Sequence, residues 1–162
     1  MNKQVAVIQV GLALGLGALF YLLSTLTAAL FFGVGLTLGL VMLWGDELVG
    51  YSWYSEKKGL IDPGLEYHTS KKMITRSLLF IAVLVPLSLF VVTSTASFIG
   101  WGLVLSLVAG ICIEIIWYQQ DYSAFQGRFL QQNTTPLAPE VMRYVPFVSI
   151  LFPIILFILI LL

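Results

Sequence analysis

Five stretches of the chain are apolar almost from end to end, and the polar residues gather between them. The stretches are residues 5–23, 26–44, 77–95, 98–118 and 144–162. Each has close to the roughly 20 residues that a helix needs to cross about 30 Å of hydrocarbon. Lipid offers no partner for a free backbone N–H or C=O, so each such stretch must be helical. The pattern predicts an all-α integral membrane protein, a single membrane domain over residues 1–162, with five transmembrane helices.

The connections predict how these helices are arranged. Ser24 and Thr25 alone join the first to the second, and Ala96 and Ser97 the third to the fourth. Links this short force antiparallel neighbours, so two tight hairpins and a separate C-terminal helix are expected. The other connections, residues 45–76 and 119–143, are long. The opening "MNK" before an apolar run, with "TAA" at residues 27–29, also fits a signal peptide. The expectation is nonetheless a true first span.

Charge gives the arrangement a direction. The eight Lys and Arg residues are Lys3, Lys57, Lys58, Lys71, Lys72, Arg76, Arg128 and Arg143. All precede the first span or lie in the long connections, and neither short turn has one. The positive-inside rule then predicts a cytoplasmic N-terminus and long loops, or their organellar equivalent, with the C-terminus outside. A plasma, bacterial inner or organellar inner membrane is the expected location.

Composition agrees with the pattern. Charged residues make up 10% of the 162, against roughly 25% in soluble domains. Hydrophobic residues make up 59%, and the mean hydropathy is +0.99. The formal net charge is zero, which removes the electrostatic case for nucleic acid. The lipid bilayer is the expected partner, together with other membrane subunits or further copies of the chain.

Within the spans, small residues suggest close packing. Gly11 and Gly15 are spaced GxxxG in the first helix, as are Gly35 and Gly39 in the second. Such stripes let backbones approach where no hydrophobic drive separates helix from lipid. They are expected to close the first hairpin, or else to receive another subunit. Pro86 falls in the middle of the third span, where a lost helical bond predicts a kink. It reads as an ordinary kink or as a hinge, with Ser88 near the freed carbonyl. Pro146 and Pro153 in the last span invite the same reading.

The second long loop carries Tyr118, Tyr122, Phe125 and Phe129 at spacings of four, three and four, one face of a helix. The fourth helix is expected to continue past the membrane, or to bend into a segment lying on it. Lipid, the bundle and a partner protein are all open as the bed for this face. In the first loop, Asp62-Pro63 looks like a helix start, so the third helix is expected to begin before its span.

Chemistry is scarce. His68 is the single histidine, close to Glu66, Asp62 and Glu56, whereas catalytic zinc wants about three ligands rich in His or Cys. Cys112, the single cysteine, lies in an apolar run, which excludes an internal disulfide or a CxxC centre. No GxSxG or phosphate-loop pattern is present. No catalytic residue, metal site or cofactor is predicted.

One residue stands apart. In "LVAGICIEIIWYQQ", residues 107–120, Glu114 puts a carboxylate inside the fourth span. At mid-bilayer it would cost about 2.5–3.5 kcal/mol. Trp117 and Tyr118 mark the interface, however, and put Glu114 only about 5–6 Å from it at 1.5 Å per residue. Arg76 and Arg143 start the third and fifth spans on the same side, and a pair of Glu114 with either would tie helices together. A partnered structural carboxylate is the expectation; a proton or cation role and a contact to another subunit are the alternatives. The chain as a whole reads as a non-catalytic structural or accessory subunit of a larger membrane complex. A small oligomeric transporter or channel using Glu114 is the alternative, and a membrane enzyme acting on lipid near Asp46 and Glu47 comes after it.

Overall fold

The computed structural model describes residues 2–58, 74–121, 125, 128–130 and 139–162, and of 49–58 and 139 the backbone alone. Among the described residues, five long helices carry the fold: α1 Lys3–Leu23, α2 Leu26–Lys58, α3 Leu78–Ser94, α4 Phe98–Tyr118 and α5 Pro139–Leu161. No strand occurs among the described residues.

Hydroxyl side chains close the helix ends at both short turns, where backbone groups would otherwise stay unsatisfied. Ser24 Oγ donates to Phe20 O at 2.7 Å and finishes α1, while Thr25 Oγ1 accepts from Ala28 N and starts α2. Thr95 does the first job for α3, donating to Val91 O at 2.6 Å. Ser97 does the second for α4, accepting from Gly100 N. The indole of Trp101 then takes Thr95 O at 2.8 Å.

The central helix is α4, which packs against all four of the others. Ten of its residues are buried, against three each in α1 and α3. Its closest neighbour is α2, and the two run parallel, with Gly35 beside Ile99 and Leu103, and Leu43 beside Gly110. A methyl on Gly35 would run into Ile99 O, and one on Gly102 into Phe32 O. Those are backbone atoms that cannot swing aside, so the seam closes only because both positions lack a Cβ. Gly39 faces Ser106 in the same seam, and Ser106 Oγ donates to Leu36 O at 2.8 Å.

This corrects the expected role of the glycine stripes. Gly35 and Gly39 serve the α2–α4 contact and not the first hairpin. Gly11 and Gly15 are exposed, with open space where a Cβ would go. The hairpin closes instead on aromatics: Phe20 stacks on Phe32 with centroids 4.2 Å apart and tilts against Phe98 at 6.2 Å.

Four of the helices are long and apolar enough to cross a membrane: Lys3–Leu23, Leu26–Leu48, Phe98–Tyr118 and Glu140–Leu161. The third expected span is the shorter helix α3, 17 residues long, because Ser77 caps it at one end and Thr95 ends it at the other. It does not begin early: residues 74–77 form a turn, in which Ser77 Oγ donates to Ile74 O. Asp62 and Pro63 lie outside the described residues. Pro86 is exposed within α3, which runs through it without interruption. Ser88 donates to Val85 O at 2.8 Å and not to the carbonyl that Pro86 leaves free. The second helix, expected to end at Trp44, continues to Lys58. Nothing at Gly45 breaks it, and both acids that follow have partners, described below.

Many outward-facing side chains along the helices are large and apolar. Val7, Leu79 and Phe147 are 70%, 72% and 69% exposed. Apolar faces of this extent belong in lipid or against other protein. The described residues are helical, and their long apolar helices are consistent with a multi-pass membrane protein.

Candidate functional site

The described charged residues all lie towards one end of the bundle. Lys3 opens α1, Asp46 and Glu47 lie late in α2, Arg76 just precedes α3, Glu114 is near the end of α4, and Glu140 and Arg143 open α5. Four of these charges, Asp46, Glu47, Arg76 and Glu114, form one buried cluster with Arg128.

Its centre is Glu114, 2% exposed, and Arg76, 0% exposed. The guanidinium meets the carboxylate edge to edge: Nε donates to Oε2 at 3.0 Å and Nη2 to Oε1 at 2.5 Å. This is the bidentate fork that arginine makes with a carboxylate and that lysine, a point charge, does not. Arg76 spends its remaining Nη1 on Leu43 O, at 2.6 Å, and on Thr75 Oγ1, at 3.0 Å. One side chain thus ties the start of α3 to both α2 and α4.

Two further donors complete Glu114. Arg128 Nε reaches Oε2 at 2.8 Å, and Gln9 Nε2 reaches Oε1 at 3.2 Å. A carboxylate has about four lone-pair sites, and here four donors address them. The amide of Gln9 is oriented by its surroundings: Nε2 also donates to Gly110 O at 3.1 Å, and Oε1 accepts the Trp44 indole N–H at 3.0 Å. The reverse orientation would set oxygen against oxygen and N–H against N–H.

The α2 acids hold the periphery. Asp46 accepts from Ile74 N at 3.2 Å and from Thr75 N at 2.8 Å, and Thr75 Oγ1 donates to it at 2.5 Å. It thereby fixes the turn that presents Arg76, from which it stands 3.7 Å away. Glu47 lies 3.7 Å from Arg76 Nη2 and accepts from Arg128 Nη2 at 3.2 Å. Burial alone would push the Arg128 guanidinium down, but the neighbouring Glu114 and Glu47 carboxylates hold it above its ordinary value. Its plane lies over the Tyr118 ring, 4.7 Å from the centroid. No buried side-chain nitrogen or oxygen among the described residues lacks a partner.

Of the two arginines expected near Glu114, Arg76 is its partner and Arg143 is not. Arg143 is exposed, and no ion pair of it occurs among the described residues. Its place is taken by Arg128, which the sequence presents as one more loop cation. The aromatic face after α4 takes one of the placements left open by the sequence. The helix ends at Tyr118 and turns, and Phe125 and Phe129 are 4% and 3% exposed within the bundle's own core. Of the three beds open to them they take the bundle; Tyr122 lies outside the described residues. So do Asp62, Glu66 and His68, along with the Glu56 side chain. Between α1, α2 and α4, a crevice lined by Gln9, Ser106 and apolar residues holds about 10 Å³, room for about one water.

Gln9, Trp44, Thr75 and Arg128 escaped the sequence as cluster members. Gln9 did carry a signal, being a lone amide within an apolar run and so in need of buried partners. Comparison with known protein families, curated proteins and solved structures finds no match for this chain.

Proposed function

We propose that this chain is a non-catalytic structural or accessory subunit of a larger membrane assembly, crossing the bilayer five times. The observation that carries this reading is the saturation of Glu114. A carboxylate that shuttles protons or cations must be able to lose or exchange a partner, and Glu114 is held by four donors on three different parts of the chain. The neighbouring crevice admits about one water and no larger solute. The outer faces of α1, α3 and α5 remain apolar and are open to lipid and neighbouring subunits alike.

The fifth span in this reading is α3. Its 17 residues make about 25 Å at 1.5 Å each, at the short limit for crossing. In the proposed orientation the charged end faces the cytoplasm or its organellar equivalent, following the positive-inside rule. A reporter fused after Leu162 is then active only outside.

Extraction in mild detergent followed by native mass measurement tests the subunit reading. Stoichiometric partners of fixed mass are expected; a lone monomer that binds or moves a solute would reject it. The transporter alternative predicts that Glu114→Gln keeps the fold and abolishes a flux. The lipid-enzyme alternative needs Asp46 or Glu47 free to act, and Asp46 already serves as acceptor for Ile74 and Thr75.

A further inference from the structure

The two hairpins repeat a pattern. Residues 31–41 of α2, "FFGVGLTLGLV", and residues 98–108 of α4, "FIGWGLVLSLV", are identical at seven of eleven positions, and each run leads on to an acid, Glu47 or Glu114. Counterparts lie 67 positions apart, as Gly102 does from Gly35 and Glu114 from Glu47. Self-similarity at a fixed offset is the mark of a repeated unit, but apolar spans built from few residue types also match by chance. Geometry has to decide.

The close contacts across the α2–α4 seam come in reciprocal pairs at that same offset. A methyl on Gly35 would run into Ile99 O and Leu103 N, and one on Gly102 into Phe32 O and Leu36 N. Residues 32, 35 and 36 are the counterparts of 99, 102 and 103. One turn on, Ser106 Oγ donates to Leu36 O at 2.8 Å, and the matching place holds Gly39 against Leu103 O. Leu43 then packs on Gly110, its own counterpart, as residues astride a symmetry axis do. The charged end follows the same rule. Arg76 lies 67 positions after Gln9; Arg76 Nη1 donates to Leu43 O at 2.6 Å, and Gln9 Nε2 to Gly110 O at 3.1 Å. Arg76 stands 3.7 Å from Glu47, where Gln9 reaches Glu114 at 3.2 Å.

Parallel helices with reciprocal contacts are related by a two-fold axis that runs along them. We infer that α1–α2 and α3–α4 are two copies of one hairpin unit, docked through an isologous α2–α4 interface. The partner this surface fits is a second copy of the unit, and the chain supplies both. Hydroxyls cap the two hairpin turns alike, Ser24 and Thr95 closing the first helix of each unit, Thr25 and Ser97 opening the second. The copies differ in charge. Position 9 holds a neutral amide where its counterpart holds a guanidinium, and Arg76 forks Glu114 besides facing Glu47. Arg128 and α5 stand outside the repeat.

Exchanging residues between counterparts tests this in the intact, detergent-solubilised chain, with the thermal midpoint as the readout. Gly39→Ser alone sets a Cβ against Leu103 O and Ser106 and is expected to lower the midpoint. Ser106→Gly alone loses the bond to Leu36 O and is expected to lower it too. Combined, they move the hydroxyl to the other helix with Leu103 O as its acceptor, and most of the loss is expected to return. At the charged end, Gln9→Arg is expected to recover part of the midpoint lost in Arg76→Gln. Gln4→Arg, an exposed cation on the same helix, is expected to recover none. An exchange variant at 39 and 106 that melts no higher than Gly39→Ser alone, or fails to fold, overturns the inference. No loss with Gly39→Ser overturns it as well, since the interface then has slack. So does rescue by Gln4→Arg equal to that by Gln9→Arg, because net charge and not the paired position would explain it. Should Gly39→Ser alone give no folded protein, a folded exchange variant upholds the two-fold relation.

Discussion

Midway along α2 and α4 the two backbones meet through Gly35, Gly39 and Gly102, whereas a turn or two further on the same pair is held by Arg76, Glu47, Glu114 and Arg128. The seam works by the absence of atoms: where neither helix has a Cβ, van der Waals contact replaces the hydrophobic drive that lipid does not supply. The charged cluster works by completeness. Each ion there has been taken out of water, and it is tolerated only because partners address its donors or lone pairs. The seam is consequently intolerant of any added group, and the cluster intolerant of any lost one.

That contrast can be broken most forcefully at Arg76. Arg76→Gln leaves Glu114 and Glu47 short of a cation in a buried site, and a loss of about 3–5 kcal/mol is expected in denaturation of the detergent-solubilised protein. A loss below about 1 kcal/mol would mean that Arg128 alone satisfies the acids. The double variant Arg76→Met with Glu114→Leu should recover part of the deficit, since it removes both charges and keeps the volume, while leaving Arg128 with Glu47.

Gly102→Ala probes the seam. One methyl against Phe32 O should cost about 1–3 kcal/mol by forcing the helices apart. Thermal unfolding would read this, and an unchanged midpoint would show that α2 and α4 have slack. Gln9→Leu comes next, expected at about 1–2 kcal/mol, because the partly buried Trp44 indole N–H loses its acceptor. The change should also move Trp44 fluorescence, which a purely packing defect elsewhere would leave in place. Gly11→Ala is the smallest: with open space around it, destabilisation beyond about 0.5 kcal/mol is not expected. A larger loss in the native assembly, absent from the isolated chain, would mean that another subunit covers this face.

Much of the helical layout was legible from residue order, because it depends on runs and on short-range signals. The apolar runs gave α1 and α4 nearly to the residue and the start of α2, and the short links Ser24-Thr25 and Ala96-Ser97 gave the two hairpin turns. The ends of α2 and α3 were harder to read. Gly45 looks like a break, yet α2 runs past it, since Asp46 and Glu47 find partners from α3 and from the segment after α4. In α3, Ser77 starts the helix where Asp62-Pro63 had looked like a beginning.

The candidate site was half legible. Glu114 is conspicuous as an acid in an apolar run, and Arg76 follows from the hairpin geometry. Arg128 and Arg143 cannot be told apart by span order, as both sit beside a helix terminus at the same end of the bundle. The choice depends on how the chain turns after Tyr118, and that turn brings Phe125 and Phe129 into the core with Arg128 beside them.

Order along the chain thus determined which segments are helical, where the hairpins turn and which end of the bundle gathers the charges, since each depends on residues close together in sequence. Tertiary structure alone decided that α4 is the hub, that the second glycine stripe faces α4 while the first faces outward, and that Arg128 rather than Arg143 answers Glu114. The physical reason is common to all three. They depend on the rotation of each helix about its axis, which uniformly apolar spans do not encode and which is settled only when backbones and buried charges find their partners.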